Sequence, residues 1–524
     1  MNHDARLLEI SDVINEIARG HCTDDDHFIK FYEEGQLHAW SLRDIDLKAS
    51  KVAARLSSLG ICRGDAIGIM ATNSIEWIVL DLAILKVGGK TAGFEPGRYS
   101  HLEIIQEYGL KLLFVDEAHS SETIKALSLL KTWFQDDTEL PGLPFHEGYQ
   151  QDESCAIKFT SGSTGRPKGL EATVGSINNS IAVAQQLFGH GDGDNLLVFL
   201  RLSLLQQRYW IYSAFHHHHD VTIADMDSVW RVASIAACTV IMAVPGFYEA
   251  LKSKVEEMAF HPHNPSTLRE RLASLIGPDV RYLWTGSAPA RRSLLEFFEK
   301  TGVPLFEGYG LNETCIVSKN CPGAYRLGSV GKIVPNKSVR FDENGILIVQ
   351  SRFPVNDHYR WCEPGISERT FISSTEVRTF DTGYVDEDGY LFIQGRMDDI
   401  IVLENGRNVN AKIIEDLLKQ SLMIHECVLY GNGMPCLCAI VSVAEVGVDN
   451  AALMNFIEGV NATLLPEQRL PHIIVAREPF SVLNGLLTSQ YKVKRAAVIE
   501  LYKTDIHALY HLPAPVHADL PLPV

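Results

Sequence analysis

The sequence predicts an α/β protein: a large N-terminal domain built from doubly wound α/β subdomains, followed by regions of different pattern. Short apolar segments such as AIGIM, KLLFV, CTVIMAV and RYLWTG alternate with stretches of helical spacing. That alternation is typical of parallel strands covered on both faces. The chain has 524 residues, more than one core usually organises, so about three or four compact units are expected.

Two later changes of pattern mark further units. From about Val330, the segments GKIVPNKSVRFDENGILIVQ and GYVDEDGYLFIQG combine short strands with turns, which predicts a small antiparallel unit. After Arg396, the segment MDDIIVLENGRNVNAKIIEDLLKQ joins a hairpin-like piece to an amphipathic helix, which predicts an α+β domain. The longest apolar run, Val232 to Phe247, contains Pro245 and is too short for a membrane span, so we interpret it as a buried helix and a core strand.

Composition excludes several classes of protein. The formal net charge of -18 argues against a nucleic-acid-binding surface, since phosphate backbones attract basic faces. The ten cysteines are scattered and form no CxxC pair, which is typical of reduced thiols. The N-terminus, MNHDARLLEISDV, carries no signal segment. We therefore expect a cytoplasmic protein without a transmembrane segment; the sequence gives no indication of its oligomeric state.

The segment FTSGSTGRPKG, from Phe159 to Gly169, is rich in glycine and hydroxyl side chains and contains one lysine. Backbone N–H groups, hydroxyls and an ammonium group can together surround a polyphosphate. The candidate ligands are Thr160, Ser161, Gly162, Ser163, Thr164, Gly165 and Lys168. The segment follows AIKF, which suits a strand, and precedes a stretch that suits a helix, the place where α/β sheets bind ligands. A flexible loop between two strands is the alternative.

Two further loops are expected at one sheet edge. GSAPA (Gly286 to Ala290) and GYGLNET (Gly308 to Thr314) each follow an apolar strand segment. Tyr309 offers an aromatic face for adenine, and Glu313 offers the oxygen ligand that Mg²⁺ prefers. Taken singly, a core tyrosine and a solvated glutamate are the simpler interpretations.

Four strings together resemble the adenylate-forming superfamily, which includes acyl-CoA synthetases, luciferase-like enzymes and peptide-synthetase adenylation domains. FTSGSTGRPKG resembles its phosphate loop and GYGLNET its YGxTE motif. RTFDTGYVDEDGYLFIQGR resembles RTGDxGxxDEDGYLxxxGR, and LLTSQYKVKR resembles the LTPTxKxKR ending of long-chain fatty acyl-CoA synthetases. The resemblance covers nearly the whole chain and is closest to that branch. It implies an N-terminal adenylation domain over 1–396 that includes a small β-barrel-like unit, and a small mobile α+β lid domain over 397–524.

The same resemblance implies roles for individual residues. Asp381 corresponds to the aspartate that holds the ribose hydroxyls, Lys492 to the mobile catalytic lysine and Asp398 to the hinge. Asn405 and Gly406 correspond to a loop lining the thiol tunnel. The nucleotide-binding set is Gly286, Ser287, Ala288, Pro289, Glu307, Gly308, Tyr309, Gly310, Asn312, Asp381 and Arg396, in addition to the phosphate loop. Without the resemblance, Asp381 would be interpreted as a turn residue and KVKR as a solvated basic strand. Lys494 and Arg495 are alternatives to Lys492 as the catalytic residue.

The implied reaction uses ATP and Mg²⁺ to activate a small-molecule carboxylic acid as an acyl adenylate. The acyl group then passes to the thiol of CoA or of the phosphopantetheine on an acyl or peptidyl carrier protein. The residues implied in catalysis are Lys492, Glu313, Thr164 and Lys168, and those implied at the metal are Glu313 and Thr164. Lysines suit this role because their ammonium groups oppose the negative charge that builds on the phosphoryl oxygens during the reaction.

The sequence departs from the family pattern at several positions. Asn312 replaces Thr, Phe380 replaces Gly, and Val174 replaces a common His. Arg201 and Leu204 replace the Pro and His of a PLxH motif that is usual in this branch of the family. These changes leave open an unusual acid, an amino acid, or a degenerate nucleotide-binding relative without ligase activity. An amino acid would need an acidic residue to hold its ammonium group, and residues 200–212 contain no Phe-Asp pattern of that kind.

Four consecutive histidines, His216 to His219, stand where small residues are usual. On a strand their side chains would alternate between faces, so at most two would point the same way. The sequence favours a buried or solvated run over a metal site.

Overall fold

The computed structural model describes residues 7–97, 100–117, 123–135, 147–160, 168–260, 267–397, 400–443, 449–488 and 492–510. Ser161, Gly162, Ser163, Thr164, Gly165 and the expected hinge Asp398 lie outside these residues, and Thr160 is described by its backbone alone. The chain forms two compact units. The first comprises 1–342, 347–379 and 385–392, and the second comprises 343–346, 380–384 and 393–524. The predicted domain boundary at 396/397 stays a prediction.

Strands and helices alternate through most of the first unit. The strands are β1 Phe28–Glu33, β2 Gln36–Ser41, β3 Ala66–Met70, β4 Lys90–Gly93, β5 Leu112–Val115, β6 Ile124–Ala126, β7 Ser154–Thr160, β8 Lys168–Thr173, β9 Asn195–Val198, β10 Asp220–Ile223, β11 Val240–Ala243, β12 Tyr282–Thr285, β13 Leu305–Leu311, β14 Cys315–Lys319, β15 Lys332–Ile333, β16 Lys337–Phe341, β17 Ile346–Ser351, β18 Glu376–Val385, β19 Leu391–Arg396, β20 Ile400–Val402, β21 Asn408–Asn410, β22 Ile424–Tyr430, β23 Cys438–Val443 and β24 His472–Val475. The helices are α1 Val13–Arg19, α2 Leu42–Ser58, α3 Ile75–Lys86, α4 His101–Tyr108, α5 Leu129–Gln135, α6 Val174–Phe188, α7 Leu205–His217, α8 Val229–Ile235, α9 Pro245–Glu257, α10 Leu268–Ile276, α11 Arg292–Thr301, α12 Ile366–Thr370, α13 Ala411–Leu418, α14 Asn450–Thr463, α15 Arg495–Leu501 and α16 Lys503–Leu509.

Two largely parallel sheets organise the first unit, as the sequence predicts. In the described residues, a nine-stranded sheet has the order β15-β14-β13-β12-β11-β9-β10-β1-β2, and a six-stranded sheet has the order β6-β5-β3-β4-β7-β8. Segment AIGIM (β3) pairs in parallel with β4 and β5, and β11 pairs in parallel with β12. Continuous apolar strands such as β5 and β11 are buried along their whole length, because helices cover both faces.

Helix α3 shows how the sequence specifies this packing. Ser74 accepts the N–H of Trp77 and so caps the helix start. All twelve residues of α3 are buried, so its charged side chains require partners. Three ion pairs provide them. Lys86 Nζ lies 2.8 Å from Asp46, Arg208 of α7 lies 3.0 Å from Asp81, and Lys131 lies 3.5 Å from Glu76.

The later regions also follow the predicted patterns. A four-stranded sheet has the order β16-β17-β18-β19, and β16 and β17 are antiparallel. In the second unit, β20 and β21 form the expected hairpin and α13 follows it. Strands β22, β23 and β24 form a three-stranded sheet. Two apolar clusters, one around Val441 and Leu453 and one around Phe480 and Tyr502, form its core.

One local expectation is wrong, and the histidine run has a conformation that the sequence does not predict. The stretch after FTSGSTGRPKG begins as strand β8, and helix α6 starts only at Val174. His216 and His217 end helix α7, and His218 is its C-cap residue, so the run of histidines does not form a strand. Elsewhere the apolar run near Pro245 divides into α8, β11 and α9. Across the described ranges, every helix is too short or too polar to span a bilayer.

Candidate active site

The two ends of segment 161–167 are held side by side by a hairpin. Strands β7 and β8 are antiparallel, with Phe159 opposite Gly169 and Thr160 opposite Lys168. The segment therefore joins two strands, which was the alternative interpretation, and does not lead from a strand into a helix. Gly169 donates its N–H to the carbonyl oxygen of Trp361 at 2.8 Å, and a Cβ atom there would lie 2.3 Å from the indole. This glycine is required by the tryptophan and is not free to bind an anion.

Lys168 and Glu313 converge on a third residue, Tyr359. The Nζ atom of Lys168 lies 5.3 Å from the centre of the Tyr359 ring, within the range of a cation–π contact. The Tyr359 hydroxyl donates a hydrogen bond to Glu313 Oε1. Burial, and then the charge of Glu313, raise the pKa of Tyr359 far above its usual value, so the phenol remains a donor. The structure thus brings two predicted residues together through one that sequence reasoning missed.

Tyr359 carried little sequence signal. It lies in NDHYRWCEPG, outside every recognised string, and only the pairing of two aromatic residues, Tyr359 and Trp361, within a polar stretch distinguishes it. Both aromatic residues contact the hairpin region, since Trp361 packs on Gly169 and Tyr359 faces Lys168. Aromatic residues in an otherwise polar loop are the signal that could have identified it.

The turn that carries Glu313 is held by two buried lysines. Lys158 of β7 donates to the carbonyl oxygen of Asn312 at 2.9 Å, and Lys337 of β16 donates to that of Thr314. Lys158 Nζ also lies 3.3 Å from Cys315 Sγ. Burial opposes ionisation of Cys315, but the charges of Lys158 and Lys337 outweigh it and lower the pKa of the thiol. Burial lowers the pKa of Lys337 to about 8.

The expected loops GSAPA and GYGLNET do begin at adjacent positions. Strands β12 and β13 are parallel neighbours, with Thr285 opposite Glu307, and a Cβ atom on Gly286 would lie 3.4 Å from Gly308 O. However, GYGL is part of strand β13 and pairs with β14. A Cβ atom on Gly310 would lie 2.1 Å from Cys315 O, so strand pairing is what requires this glycine.

Glu307 has a structural contact within this region. Its carboxylate accepts the N–H of Ala290 at 2.7 Å and so fixes the end of the segment that includes Ser287, Ala288 and Pro289. Burial raises the pKa of Glu307 to about 7, and the Ala290 N–H and nearby Lys319 oppose the rise. Ser287 adopts a left-handed backbone, with φ of 67°. The side chain of Asn312 is exposed and Tyr309 is half-buried.

A second group of predicted residues lies in the second unit. Arg396 Nε lies 3.7 Å from Asp381 Oδ1, and Asp381 is buried. Burial, followed by the charge of Arg396, lowers the pKa of Lys492, and Asp381 opposes the shift. The backbone of Lys492 is fixed by Thr488, whose hydroxyl accepts its N–H at 3.1 Å. The structure therefore brings Asp381, Arg396 and Lys492 together.

The structure also gives local positions and contacts for the remaining departures from the family pattern and for the Asn-Gly pair. Leu204 is the N-cap residue of α7, and Arg201 forms an ion pair with Glu95. Gly406 takes a left-handed backbone, with φ of 77°, in the turn between β20 and β21, and Asn405 Oδ1 accepts the N–H of Arg407 at 3.0 Å. Val174 is the first residue of α6 and is buried.

Two protein-family models match this chain. A family model described as AMP-binding enzyme matches residues 15–347, and a model described as AMP-binding enzyme C-terminal domain matches residues 398–513. The chain belongs to the AMP-binding enzyme family. The superfamily resemblance and the mixed α/β fold with a C-terminal domain are thereby confirmed.

Relatives in this AMP-binding family extend along most of the chain. A long-chain-fatty-acid–CoA ligase of Mycobacterium bovis is 24% identical over 543 residues, covering 88% of this chain and 90% of the ligase. A malonate–CoA ligase of Arabidopsis thaliana is 26% identical, covering 77% and 72%. The o-succinylbenzoate CoA synthetase of Bacillus subtilis, solved with its acyl-adenylate intermediate, superposes with a TM-score of 0.75 at 19% identity, covering 94% of this chain and 98% of the synthetase. Its complex with ATP and magnesium ion gives a TM-score of 0.73 at 19% identity, covering 93% and 98%.

Proposed function

We propose that this AMP-binding enzyme is an AMP-forming acid–thiol ligase. It activates a carboxylic acid with ATP, releases pyrophosphate, and transfers the acyl group from the adenylate to a pantetheine thiol. The observation that carries the proposal is the convergence of Lys168 and Glu313 on Tyr359, beside the hairpin that closes segment 161–167. Such an arrangement places a hard oxygen ligand near Lys168, the first residue of the strand that follows the glycine- and hydroxyl-rich segment.

The residues present fit ATP and Mg²⁺. Glu313 offers a carboxylate oxygen to a hard cation, and its position is fixed by the Tyr359 hydroxyl. Magnesium at this carboxylate would neutralise charge on the phosphates. Thr164 is the second proposed metal ligand. Buried Asp381 can accept two hydrogen bonds from a ribose diol, because an ionised carboxylate offers several acceptor positions.

The chain's own residues have separable tasks in the first half-reaction. The carboxylate oxygen of the acid attacks the α-phosphorus, and the bond to the pyrophosphate oxygen breaks. Lys168 and Lys492 oppose the negative charge that develops on the phosphoryl oxygens. The pKa of Lys492 is lowered in its own unit, so its ammonium group is poorly compensated there and would be stabilised by an anion.

In the second half-reaction a thiol sulfur attacks the acyl carbonyl carbon, AMP leaves, and the thiol proton is released. CoA is the proposed acceptor, in line with the CoA ligases among the relatives. A carrier-protein arm is the second candidate, and Asn405 and Gly406 are proposed to face the thiol. Asp398 is proposed as the hinge that separates the two half-reactions, and the cytoplasm as the compartment.

The class of acid is the finer part of the proposal. A fatty acid is the first candidate, because long-chain-fatty-acid–CoA ligases are among the relatives. The departures at Arg201 and Leu204 favour an acid that does not rely on the usual histidine, and Arg201 is already paired with Glu95. Since the other relatives act on malonate and o-succinylbenzoate, fatty, aryl and dicarboxylic acids all belong in the test.

Exchange of labelled pyrophosphate into ATP measures the first half-reaction alone. We expect exchange that depends on one class of acid in a panel of short, long, aryl and dicarboxylic acids, and that requires Mg²⁺. Glu313→Gln should reduce exchange about 100-fold, the size of effect seen when one charge-stabilising group is removed. Adding CoA or carrier proteins then identifies the acceptor.

Two outcomes would contradict the proposal. ATP binding by the wild type without exchange for any acid would favour the degenerate nucleotide-binding relative. Exchange by Glu313→Gln at the wild-type rate would exclude the carboxylate from the metal site. Glu171→Gln is the matched control, since this half-buried glutamate on β8 pairs with Lys90 and Arg360.

A further inference from the structure

The four consecutive histidines lie in different surroundings. His216 Nδ1 lies 2.5 Å from Glu16 Oε2, and buried His219 lies 3.0 Å from Ser213 Oγ. His217 is half-buried. His218 faces a histidine and a carboxylate that are both supplied by the segment preceding β1.

His218 lies within a compact set of potential metal ligands with Asp24 and His27. One ligand atom from each of the three residues lies within 4.8 Å of the others. Asp24 Oδ2 is 2.8 Å from His27 Nδ1 and 2.7 Å from His218 Nδ1. Two imidazole nitrogens therefore converge on the same carboxylate oxygen.

The carboxylate of Asp24 is held in place for this contact. Its other oxygen, Oδ1, accepts the backbone N–H groups of Asp26 at 2.9 Å and His27 at 3.0 Å. Its orientation is thereby fixed by the backbone.

The outer contacts also suit a metal centre. His27 Nε2 lies 3.5 Å from Asp192 Oδ1, and a metal-bound imidazole commonly directs its second ring nitrogen to a carboxylate. His218 adopts a left-handed backbone, with φ of 55° and ψ of 74°. This conformation is costly for a residue other than glycine, and such strain is concentrated at functional positions.

We propose that Asp24, His27 and His218 bind one divalent transition-metal ion, of the Zn²⁺ class, with water completing the coordination. Two imidazoles and one carboxylate suit Zn²⁺, whereas Mg²⁺ and Ca²⁺ prefer oxygen ligands alone. Tetrahedral ligands of Zn²⁺ lie about 3.4 Å apart, so the two short contacts must open slightly. The side chain of His218, 59% exposed at a helix end, can make that movement and leaves room for water.

The proposed ion would connect the segment before β1 to the C-terminal end of α7. These parts of the chain are joined in the sheet by the parallel pairing of β1 with β10, the strand that follows α7. The ion is therefore a structural cross-link, and this inference is independent of the ligase activity.

Zn²⁺ and Co²⁺ titrations test the site in the full-length chain after chelator treatment. We expect about one equivalent of Zn²⁺ to bind per chain, a higher Tm, and the visible absorption of tetrahedral Co²⁺ that Zn²⁺ abolishes. His218→Asn and Asp24→Asn should each weaken Zn²⁺ binding roughly 10-fold or more. Asparagine tolerates the left-handed backbone, so His218→Asn removes the imidazole with little effect on the fold, which circular dichroism checks.

His216→Asn is the matched control, because it removes a neighbouring histidine that pairs with Glu16. It should leave Zn²⁺ affinity and the Co²⁺ spectrum unchanged. Absence of Zn²⁺ binding by the wild type at micromolar concentrations would overturn the proposal. So would equal affinity in the wild type and His218→Asn. If His218→Asn fails to fold, Asp24→Asn and His27→Gln decide by the same measurements.

Discussion

The two groups of candidate catalytic residues differ in how their charges are balanced. In the first unit, the neutral phenol of Tyr359 contacts both Lys168 and Glu313. In the second unit, Arg396 forms an ion pair with the carboxylate of Asp381, and Lys492 interacts electrostatically with the same carboxylate. The first group holds a carboxylate in position, whereas in the second group burial and the charge of Arg396 disfavour the charged form of Lys492.

This difference separates positioning from charge stabilisation. A hydrogen bond from a buried phenol fixes the position of a carboxylate. Loss of such a bond to a charged group costs about 1.5–3 kcal/mol. A buried ammonium group with too few anions nearby gains more from a developing negative charge than a solvated one, because the surroundings screen it less. We therefore expect the largest catalytic effects in the second group and smaller effects at Tyr359.

Lys492→Ala is the largest expected perturbation. It should reduce acid-dependent pyrophosphate exchange about 100- to 1,000-fold, the effect of removing one group that stabilises transition-state charge. Thioester formation from supplied acyl adenylate should continue at near the wild-type rate, since no phosphoryl transfer occurs in that step. Measuring both half-reactions on the same preparation makes the comparison.

Lys494→Ala is the control for Lys492→Ala. Lys494 is exposed and lies two residues further along the same basic segment, so its loss should change exchange less than about twofold. If the Lys494 variant lost exchange while Lys492→Ala kept it, the alignment of the KVKR segment would be shifted. If Lys492→Ala slowed both half-reactions equally, the assigned role would be wrong.

Tyr359→Phe tests positioning in the first group. It removes the hydrogen bond to Glu313 while keeping the ring that faces Lys168, so exchange should fall roughly 10-fold. Because the phenol is proposed to act through Glu313, the Mg²⁺ concentration for half-maximal exchange should rise. In the Glu313→Gln background, Tyr359→Phe should have a much smaller effect, because the two residues act as one unit.

Tyr248→Phe provides the comparison for a phenol without this role. The Tyr248 hydroxyl is buried and donates to the carbonyl oxygens of Ile241 and Trp284, at 2.8 and 3.0 Å. Its removal should lower stability without altering the Mg²⁺ dependence. An unchanged Mg²⁺ dependence in Tyr359→Phe would show that its contact with Glu313 is only structural.

The two groups were not equally accessible from the sequence. Asp381 and Arg396 belong to one continuous motif, RTFDTGYVDEDGYLFIQGR, so one resemblance points to both. They lie on the neighbouring strands β18 and β19, which place them together. Tyr359 meets Lys168 and Glu313 only through the tertiary arrangement of β8, the β13–β14 turn and a loop without a recognised pattern. Contacts made across such separations have no local signal.

Glycines and histidines show the same limit. Gly169 ends the predicted phosphate-binding segment and Gly310 belongs to the implied nucleotide-binding set. An indole ring excludes a side chain at Gly169, and a strand carbonyl excludes one at Gly310. The sequence gives no sign that the histidine run lies at the end of α7, where His216 and His217 close the helix. In each instance the residue type was informative, and the neighbour that explains it lies elsewhere in the chain. The strand segments were predicted well, because burial on both faces leaves a continuous apolar run.

Phe380 distinguishes the second group by backbone strain, and this is the smallest expected effect. The sequence placed a bulky residue where glycine is usual, and its φ of 62° is left-handed. That backbone costs a residue with a Cβ atom roughly 1–2 kcal/mol. In an ordinary strand, glycine is less stable than alanine by about 0.5–1 kcal/mol. We therefore expect Phe380→Gly to be more stable than Phe380→Ala by about 0.5–1 kcal/mol, the reverse of the usual order.

Urea midpoints of the two variants measure this difference, with Tyr384 as the control position. Tyr384 lies in the same strand β18 and is 46% exposed, so Tyr384→Ala should be more stable than Tyr384→Gly. The common loss of an aromatic ring cancels within each pair of variants. If alanine were the more stable replacement at both positions, the left-handed backbone at Phe380 would carry no strain. The departure from glycine would then have no energetic consequence for the neighbouring Asp381.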